Sequence, residues 1–489
     1  MNTGQNDNKR DSLSRRKFLQ LAAIGAGGAV IAACSPQVVK ETVEVEVTRE
    51  VEVEKQVEVT REVEVAVAPP SELVTVTLMK WGSVEGEEMY GRIFEEIHPE
   101  LKDQIKLTVV SPGTSDAETN QALRLALAAG FGIPDMFQAT YSSVPEFAEA
   151  GVLTNLEDKV TEYLGDISEG AKSLMQYNGQ YIAAPAQPKP KVWLYRKDLF
   201  ENAGIVPAEV KTFEDFMQAG QDFVAANPEK YFFNLGPQPI HYAYWQWMSS
   251  WDGLCMANKD GTYNIVSDER FAMLYDQFKQ IYQSPWDLHV DDFSPDWQPT
   301  YENEKLCGWM VGSWGINWVP RMAPEQGGKW AFTQWPEYVK YGSDSGGDTY
   351  VIPIGCEHPE EAWIVMKSWL FEKDGAILRW KNEQGDFPII KSAQAEVLAI
   401  IKAGGRPEGM SDEDWKVYAP NYYGLDYADW YFQCLDLLKV GCFNPSSPAL
   451  LPILRNHCEN YLAGKETLTE ALENCQQDME TQVGNPYEV

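Results

Sequence analysis

Residues 73–79 read Leu-Val-Thr-Val-Thr-Leu-Met, an alternation of apolar and β-branched side chains that predicts a β-strand. Helical spacing follows over 86–97, and Ile-Lys-Leu-Thr-Val-Val at 105–110 repeats the strand pattern. A second helix is predicted over 119–129 and a short buried strand over 133–137. Strand, helix, strand, helix and strand at this spacing predict βαβ units and a mainly parallel sheet. The fold class is therefore α/β.

Polar and aromatic residues follow these strands at the points where each one ends. Ligands of parallel sheets bind beyond the carboxyl ends of the strands, so residues there are candidate ligand contacts. Asp135 stands beside Pro134 and has a structural role as an equal alternative. The candidates from this part of the chain are Trp81, Ser83, Glu85, Asp135, Thr140 and Tyr141.

Aromatic residues are unusually frequent, with 17 Trp and 23 Tyr in 489 residues. Residues 242–251 hold five of them, and because one helical face cannot bury all five, some are expected to reach a cleft. Sugar rings stack their C–H faces on Trp or Tyr, and their hydroxyls need carboxylate, amide or Arg partners. Core packing is the alternative for each aromatic residue. The candidates are Trp81, Trp245, Trp247, Trp314, Trp335, Tyr423 and Trp430, with Asp348 as a further polar candidate.

Six short segments in a fixed order carry a resemblance to a known family. They are 132–137 (Gly-Ile-Pro-Asp-Met-Phe), 151–156 (Gly-Val-Leu-Thr-Asn-Leu), 177–185 (Tyr-Asn-Gly-Gln-Tyr-Ile-Ala-Ala-Pro), 193–204 (Trp-Leu-Tyr-Arg-Lys-Asp-Leu-Phe-Glu-Asn-Ala-Gly), 307–314 (Cys-Gly-Trp-Met-Val-Gly-Ser-Trp) and 358–363 (His-Pro-Glu-Glu-Ala-Trp). Together they resemble the family 1 extracellular solute-binding proteins of ABC importers. Arg196 stands where that family commonly has Asn, and residues 395–489 match only in being helical and aromatic.

The resemblance implies a type II periplasmic-binding-protein-like fold, in which two α/β lobes joined by hinge strands close on a solute. Three prolines within 184–190 restrict the backbone at one expected crossing, and Gly346 and Gly347 provide freedom at the other. Hinges of this kind absorb the rotation of the lobes. The resemblance assigns 71–187 and 350–395 to the N-lobe, and 188–349 and 396–489 to the C-lobe.

The first 34 residues predict export. Paired arginines in 14–20 (Ser-Arg-Arg-Lys-Phe-Leu-Gln) precede a short apolar run, as in a twin-arginine signal. That run ends Ile-Ala-Ala-Cys at Cys34 and resembles the lipobox of bacterial lipoproteins, which implies cleavage after residue 33 and a lipid on Cys34. The alternative is a cleaved signal peptide with an incidental Cys.

Residues 34–70 predict a spacer. From residue 45 the chain repeats hexads such as Val-Glu-Val-Thr-Arg-Glu, whose Val face a lone strand cannot bury. A charged segment of this kind extends by self-repulsion and would hold the remainder of the chain away from a membrane. Self-association through the Val faces is the alternative.

The net charge of −33 argues against a nucleic-acid partner, because a phosphate backbone is bound by clustered Lys and Arg. It also disfavours docking of a basic surface on anionic lipid. Residues 71–489 hold 31 basic and 62 acidic side chains, which favours a neutral or cationic solute over an anion.

Sequence signatures of common chemistries are absent. The chain has no Gly-x-x-x-x-Gly-Lys-Ser/Thr, His-Glu-x-x-His or Cys-x-x-Cys motif, so neither a cofactor nor a metal site is expected. Seven cysteines besides Cys34 predict at least one disulfide, and the pairs nearest in sequence are Cys434 with Cys442 and Cys458 with Cys475. The carboxylates that a glycosidase could use are Asp291, Asp292, Asp296 and Asp386.

The sequence therefore predicts a monomeric receptor, lipid-anchored on the outer face of the cytoplasmic membrane or in the periplasm, that binds a sugar, preferably an oligosaccharide, and delivers it to an ABC permease. An exported glycoside hydrolase and a receptor for a non-sugar solute are the alternatives.

Overall fold

The computed structural model describes residues 73–488 except 83, 85–87, 237–242, 252, 340–346, 384–386, 405, 407–409, 425–429, 431, 433, 436–437 and 439–440. The predicted export signal, Cys34 and the spacer lie outside the described residues. So do Ser83, Glu85, Gly346 and Asp386, together with the side chain of Trp245.

The strands, in chain order, are β1 (Val74–Met79), β2 (Ile105–Val110), β3 (Met136–Thr140), β4 (Gln176–Tyr177), β5 (Gln180–Tyr181), β6 (Ala184–Gln187), β7 (Lys191–Arg196), β8 (Gly308–Gly312), β9 (Trp330–Thr333) and β10 (Asp348–Val351).

The α-helices, in chain order, are α1 (Glu88–Ile97), α2 (Asp116–Ala129), α3 (Val144–Glu149), α4 (Glu157–Val160), α5 (Glu169–Leu174), α6 (Lys197–Asn202), α7 (Phe213–Ala226), α8 (Ala243–Met248), α9 (Glu269–Tyr282), α10 (Gln298–Glu302), α11 (Gly315–Met322), α12 (Pro359–Leu370), α13 (Lys373–Glu383), α14 (Lys391–Ala403), α15 (Asp412–Val417), α16 (Ala419–Tyr423), α17 (Ser447–Leu462) and α18 (Leu468–Gln482).

The first lobe is built on a five-stranded sheet of order β2-β1-β3-β10-β6. β1 pairs in parallel with β2 and β3, as the βαβ pattern predicts, whereas β10 is antiparallel to both of its neighbours. The capping box of Ser115 and Glu118 begins α2, and Gly130 ends it in the left-handed region. The third strand begins at Met136, three residues later than predicted, because Pro134 lacks a backbone N–H and cannot join the ladder.

The second lobe is built on an antiparallel sheet of order β8-β7-β9. An aromatic core packs on it, with the ring of Trp193 5.7 Å from Phe232 and 5.6 Å from Phe200. The hydroxyl of Tyr275 on α9 donates to the carbonyl oxygen of Leu454 on α17 at 2.6 Å, which attaches the C-terminal hairpin of α17 and α18 to this lobe.

The chain between residues 391 and 438 contacts both lobes. α14 packs against α13, which packs on α1 of the first lobe, and the carbonyl of Leu435 lies directly against Gly170 of α5. The hydroxyl of Tyr422, by contrast, donates to Ala323 of the second lobe at 2.8 Å. The boundary at 395 stays a prediction, although these contacts keep α14 on the first lobe through Ala403.

One disulfide joins Cys255 to Cys442 across 187 residues of sequence. The prediction of at least one disulfide is confirmed, and the suggested pairing of Cys434 with Cys442 is wrong because Cys442 is bonded to Cys255. Cys458 and Cys475 are both buried and free, so that pair is not bridged in this structure.

Candidate functional site

The start of β10 brings the carboxyl-end residues of the first sheet together. Asp348 lies opposite Thr140 of β3 on one side and opposite Gln187 of β6 on the other. Because β10 runs antiparallel to β3, its first residue lies at the edge where β3 ends. Thr140, Tyr141 and Asp348, predicted separately from sequence, therefore lie together at this edge.

Asp348 places a buried carboxyl group at this edge. The side-chain amide of Gln138 donates to its Oδ2, and Asp348 is 7% exposed. Burial raises the pKa of Asp348 from its usual 3.8 to about 7, against the opposing effects of the Lys189 charge, the Gln138 hydrogen bond and the Lys80 charge. Asp348 is therefore poised to change charge near neutral pH.

Sequence reasoning missed Gln138 and Lys189, which are both 4% exposed. Gln138 was detectable as a polar residue in the middle of a buried strand, and Lys189 as the only charge among the prolines of 184–190. Oε1 of Gln138 is buried without a hydrogen-bond partner among the described residues. A buried acceptor of this kind favours a donor supplied by a ligand.

Tyr141 and Trp81 complete the edge of the first lobe. The Tyr141 hydroxyl donates to the backbone oxygen of Asp348 at 3.2 Å, and Trp81, just after β1, is partly exposed. The Thr140 hydroxyl lies 3.0 Å from Oγ of Ser142. The edge thus combines two aromatic side chains with several hydroxyl groups and one carboxyl group.

Asp135 occupies the other end of β3. Its Oδ2 accepts from the backbone N–H of Thr77 and its Oδ1 from that of His358, both at 2.8 Å. Since both oxygens serve the backbone at the edge away from Asp348, the geometry supports the structural alternative and corrects the expectation of ligand contact.

The second lobe presents Trp314 beside the point where the chain crosses between lobes. The N–H of Ser313 donates to the carbonyl of Pro190 at 2.8 Å, and Lys191 pairs with Gly312. Trp314 follows immediately and precedes α11, and it is partly exposed. Its ring packs edge-on against Trp309 at 5.1 Å.

Lys191 connects this crossing to the aromatic segment 242–251. It is fully buried, and its Nζ donates to the carbonyl of Gln246 and to Oγ of Ser250, the latter at 2.6 Å. Burial lowers the pKa of Lys191 well below its ordinary value. The side chain of Lys191, the first residue of β7, therefore holds α8, the helix that includes Trp245.

Three predicted aromatic candidates belong to the core, and for them the expectation of ligand contact is corrected. Trp247 is fully buried and donates from Nε1 to Gln277 at 3.2 Å. Trp335 donates from Nε1 to the Val192 carbonyl at 2.8 Å, and the buried Tyr423 donates from its hydroxyl to Ile316 at 2.8 Å. Each polar atom is satisfied inside the fold, so no ligand is needed to pair it.

Trp430 remains a candidate. It is partly exposed and packs edge-on against Phe332 of β9 at 5.1 Å. Its indole N–H has no acceptor within the part of the chain that the structure describes.

The carboxylates proposed for an acid–base pair differ in environment. The Asp292 carboxyl is enclosed, with Asn234 and Trp309 hydrogen-bonded to it, and burial raises its pKa to about 7. Asp291 and Asp296 are exposed. The charges of Asp291 and Asp287 contribute to the raised pKa of Asp292, and both residues lie on the same segment as Asp292.

Comparison with known proteins decides the family. Residues 93–405 match the family described as bacterial extracellular solute-binding protein, which is more than half of the chain. The chain belongs to this family. In this solute-binding protein, Asp348 pairs with Gln187 and Ser313 with Pro190, so the edge at Asp348 and Trp314 both border residues 187–190.

The relatives with known names share part of the sequence or the fold. An arabinooligosaccharide-binding protein of Halalkalibacterium halodurans is 24% identical over 253 residues, which cover 49% of this chain and 55% of that relative. The match thus spans about half of the curated relative's length.

Two solved structures share the fold with this solute-binding protein. A binding protein from B. animalis subsp. lactis, solved with β-1,6-galactobiose, has a TM-score of 0.64 at 19% identity, covering 84% of this chain and 99% of its own. The galacto-N-biose-/lacto-N-biose I-binding protein from Bifidobacterium longum has a TM-score of 0.65 at 18% identity, covering 84% and 98%. The prediction of a two-lobed α/β fold is confirmed.

Among the described residues, neither a membrane-spanning helix nor a metal-binding cluster occurs. None of their helices combines the length and apolar character that a bilayer crossing requires. Nor do the described His, Cys, Asp and Glu side chains form a group of three or more that could hold a metal ion.

Proposed function

We propose that this solute-binding protein is the receptor of an ABC importer and binds a sugar, preferably an oligosaccharide, between its lobes. The observation that carries the proposal is that Trp314 borders the segment between the lobes on one side and Gln138, Tyr141 and Asp348 border it on the other. An aromatic face suits the C–H surface of a sugar, and carboxyl, amide and hydroxyl groups suit its hydroxyls. The sugar ligands named for its relatives support the same assignment.

The mechanism follows from the division of the binding groups between the lobes, with Trp314 on the second lobe and Asp348 and Gln138 on the first. A sugar stacked on Trp314 and hydrogen-bonded to Asp348 and Gln138 touches both lobes only when they are closed. Its binding free energy therefore favours the closed state, because a ligand shifts a conformational equilibrium by its differential affinity for the two forms. The closed form is the one that would engage the permease.

Calorimetry of the protein beginning at Cys34 tests the proposal. The probes are arabinooligosaccharides, β-1,6-galactobiose and lacto-N-biose, with putrescine and lysine as non-sugar solutes. We expect binding to one sugar class and to neither amine. Binding of an amine alone would establish the non-sugar alternative.

The glycoside-hydrolase alternative is tested in the same samples by chromatography. Because the family is one of binding proteins and the carboxylates whose charges act on Asp292, Asp287 and Asp291, lie on its own segment, we expect the oligosaccharides to remain intact after prolonged incubation. Product release that Asp292→Asn abolishes would establish the enzyme.

Export and anchoring form a separate part of the proposal, carried by the sequence of residues 14–34. We expect radiolabelled palmitate to enter the wild type and not Cys34→Ala, and the variant to leave the membrane fraction. Labelling of Cys34→Ala at the wild-type level would overturn the anchor and leave the sugar assignment standing.

A further inference from the structure

The loop before α10 holds an exposed phenylalanine in an unusual backbone conformation. Phe293 has φ 66° and is 40% exposed. The left-handed region is costly for a bulky side chain, because Cβ approaches the following carbonyl oxygen. Such strain persists only where the surroundings impose it, and an aromatic ring that gains no full burial in return points to a function.

The surroundings of Phe293 do impose this conformation. The carboxyl of Asp292, the residue before Phe293, accepts hydrogen bonds from the side chains of Asn234 and Trp309. Asn234 also donates to the carbonyl of Val290 at 2.7 Å and accepts from its N–H at 3.0 Å. After Phe293, the N–H of Ser294 donates to the carbonyl of Asp291 at 3.1 Å, so the backbone is held on both sides of Phe293. Its ring packs on the buried Trp297 at 4.7 Å and stays partly exposed.

The Phe293 ring joins Trp314 and Trp318 in one exposed aromatic group. Its centroid lies 5.8 Å from that of Trp314 and 5.2 Å from that of Trp318. Trp318 is one helical turn after Trp314 on α11 and is 41% exposed. Since Trp314 borders the crossing between lobes, the group extends outward from that border across the second lobe.

We infer that Phe293 and Trp318 form an outer stacking subsite, which binds the part of an oligosaccharide that projects beyond Trp314. This inference rests on the proposed function and deepens it, because it assigns the preference for chain length to two residues outside the crossing edge. A sugar chain is the occupant that the geometry favours, since successive sugar rings each need an apolar face and the three rings are adjacent. A disaccharide that places one ring on Trp314 and the other at Asp348 leaves the outer subsite empty.

Calorimetry with an arabinooligosaccharide series of two to six units tests the inference, and a β-1,6-galactooligosaccharide series replaces it if that class is bound. For the wild type we expect affinity to rise with length beyond the disaccharide. Phe293→Ala and Trp318→Ala should each lower affinity for the long members about threefold to tenfold and leave disaccharide affinity unchanged, as expected for one lost aromatic contact.

Phe131→Ala is the matched control, because Phe131 is 75% exposed and lies between α2 and β3, at the end of β3 away from Thr140. Phe131→Ala should change neither the affinity for the long oligosaccharides nor that for the disaccharide. An unchanged preference for length in both subsite variants would overturn the outer subsite while disaccharide binding still upholds the proposed function. Loss of permease-dependent uptake with unchanged affinities would identify a docking surface instead and would equally overturn it. Failure of the wild type to bind any sugar would overturn the proposed function itself.

Discussion

The backbone N–H of Ser313 donates to the carbonyl oxygen of Pro190 at 2.8 Å, which links the end of β8 to the segment between the lobes. Trp314 is therefore positioned by a backbone contact at the crossing, and its ring remains partly exposed. This placement distinguishes it from the tryptophans of the core.

Trp314→Ala should weaken sugar binding at least about tenfold, since a stacked aromatic anchor is lost. The free energy of unfolding should fall by about 2–3 kcal/mol, less than for a fully buried tryptophan, because the ring packs against Trp309 but is partly exposed. Calorimetry and denaturant unfolding measure the two quantities separately.

Trp247→Ala is the contrasting variant. Because Trp247 is fully buried against Trp335 and hydrogen-bonded to Gln277, its truncation should cost about 3–5 kcal/mol of stability. The affinity of the remaining folded protein should be unchanged. Equal effects of the two variants on affinity would contradict the division into core and site.

Asp135→Ala should destabilise the first lobe without lowering the affinity for the sugar. It leaves the backbone N–H groups of Thr77 and His358 without their acceptors, which we expect to cost about 2–4 kcal/mol in denaturant unfolding. Asp135→Asn keeps one acceptor and should lose less. If an Asp135 variant had normal stability but no longer bound sugar, Asp135 would be a ligand contact after all.

Asp292 predicts a dependence of stability on pH. Burial raises its pKa from 3.8 to about 7, so between those values the folded protein holds a proton that the unfolded chain has released. The contribution of Asp292 to the free energy of unfolding therefore falls as pH rises from about 4 to 7 and is constant above.

Asp292→Asn cannot ionise and should exceed the wild type in stability by about 2–4 kcal/mol at pH 8, with the difference vanishing near pH 4. Urea unfolding across this range measures it. The raised pKa of Asp348 remains in both proteins and cancels in the comparison. A difference that did not change with pH would contradict the assignment.

Removing the disulfide should cost about 2–5 kcal/mol, because the bond closes a long loop in the unfolded chain. The double variant Cys255→Ser and Cys442→Ser should match the reduced wild type in denaturant unfolding. Cys356→Ser is the control, since this cysteine is free and partly exposed. Identical unfolding of oxidised and reduced wild type would refute the bond.

The order of elements was predictable because its signals are local. Alternation at β1 and β2, the Ser115 capping box and the stop at Gly130 each depend on residues within one or two turns of chain. Of the site, Thr140, Tyr141 and Asp348 were found because two of them follow a strand end and the third stands at the return between the lobes.

The tertiary structure alone decided which aromatic residues are core. Trp247, Trp335 and Tyr423 have the same composition signal as Trp314 and Trp430, and only the packing of distant segments separates them. The same holds for the partner of Cys442, which is 187 residues away, and for the bond between Gln138 and Asp348, which are 210 residues apart.

The sequence by itself determined the α/β order, the family resemblance and the expected export segments, since periodicity and motifs are written in neighbouring residues. Burial, the raised pKa of Asp348 and the exposed ring of Phe293 came only from the tertiary structure. These properties depend on which groups meet across long sequence separations, because desolvation and packing are set by all the atoms around a side chain and not by its neighbours in the chain.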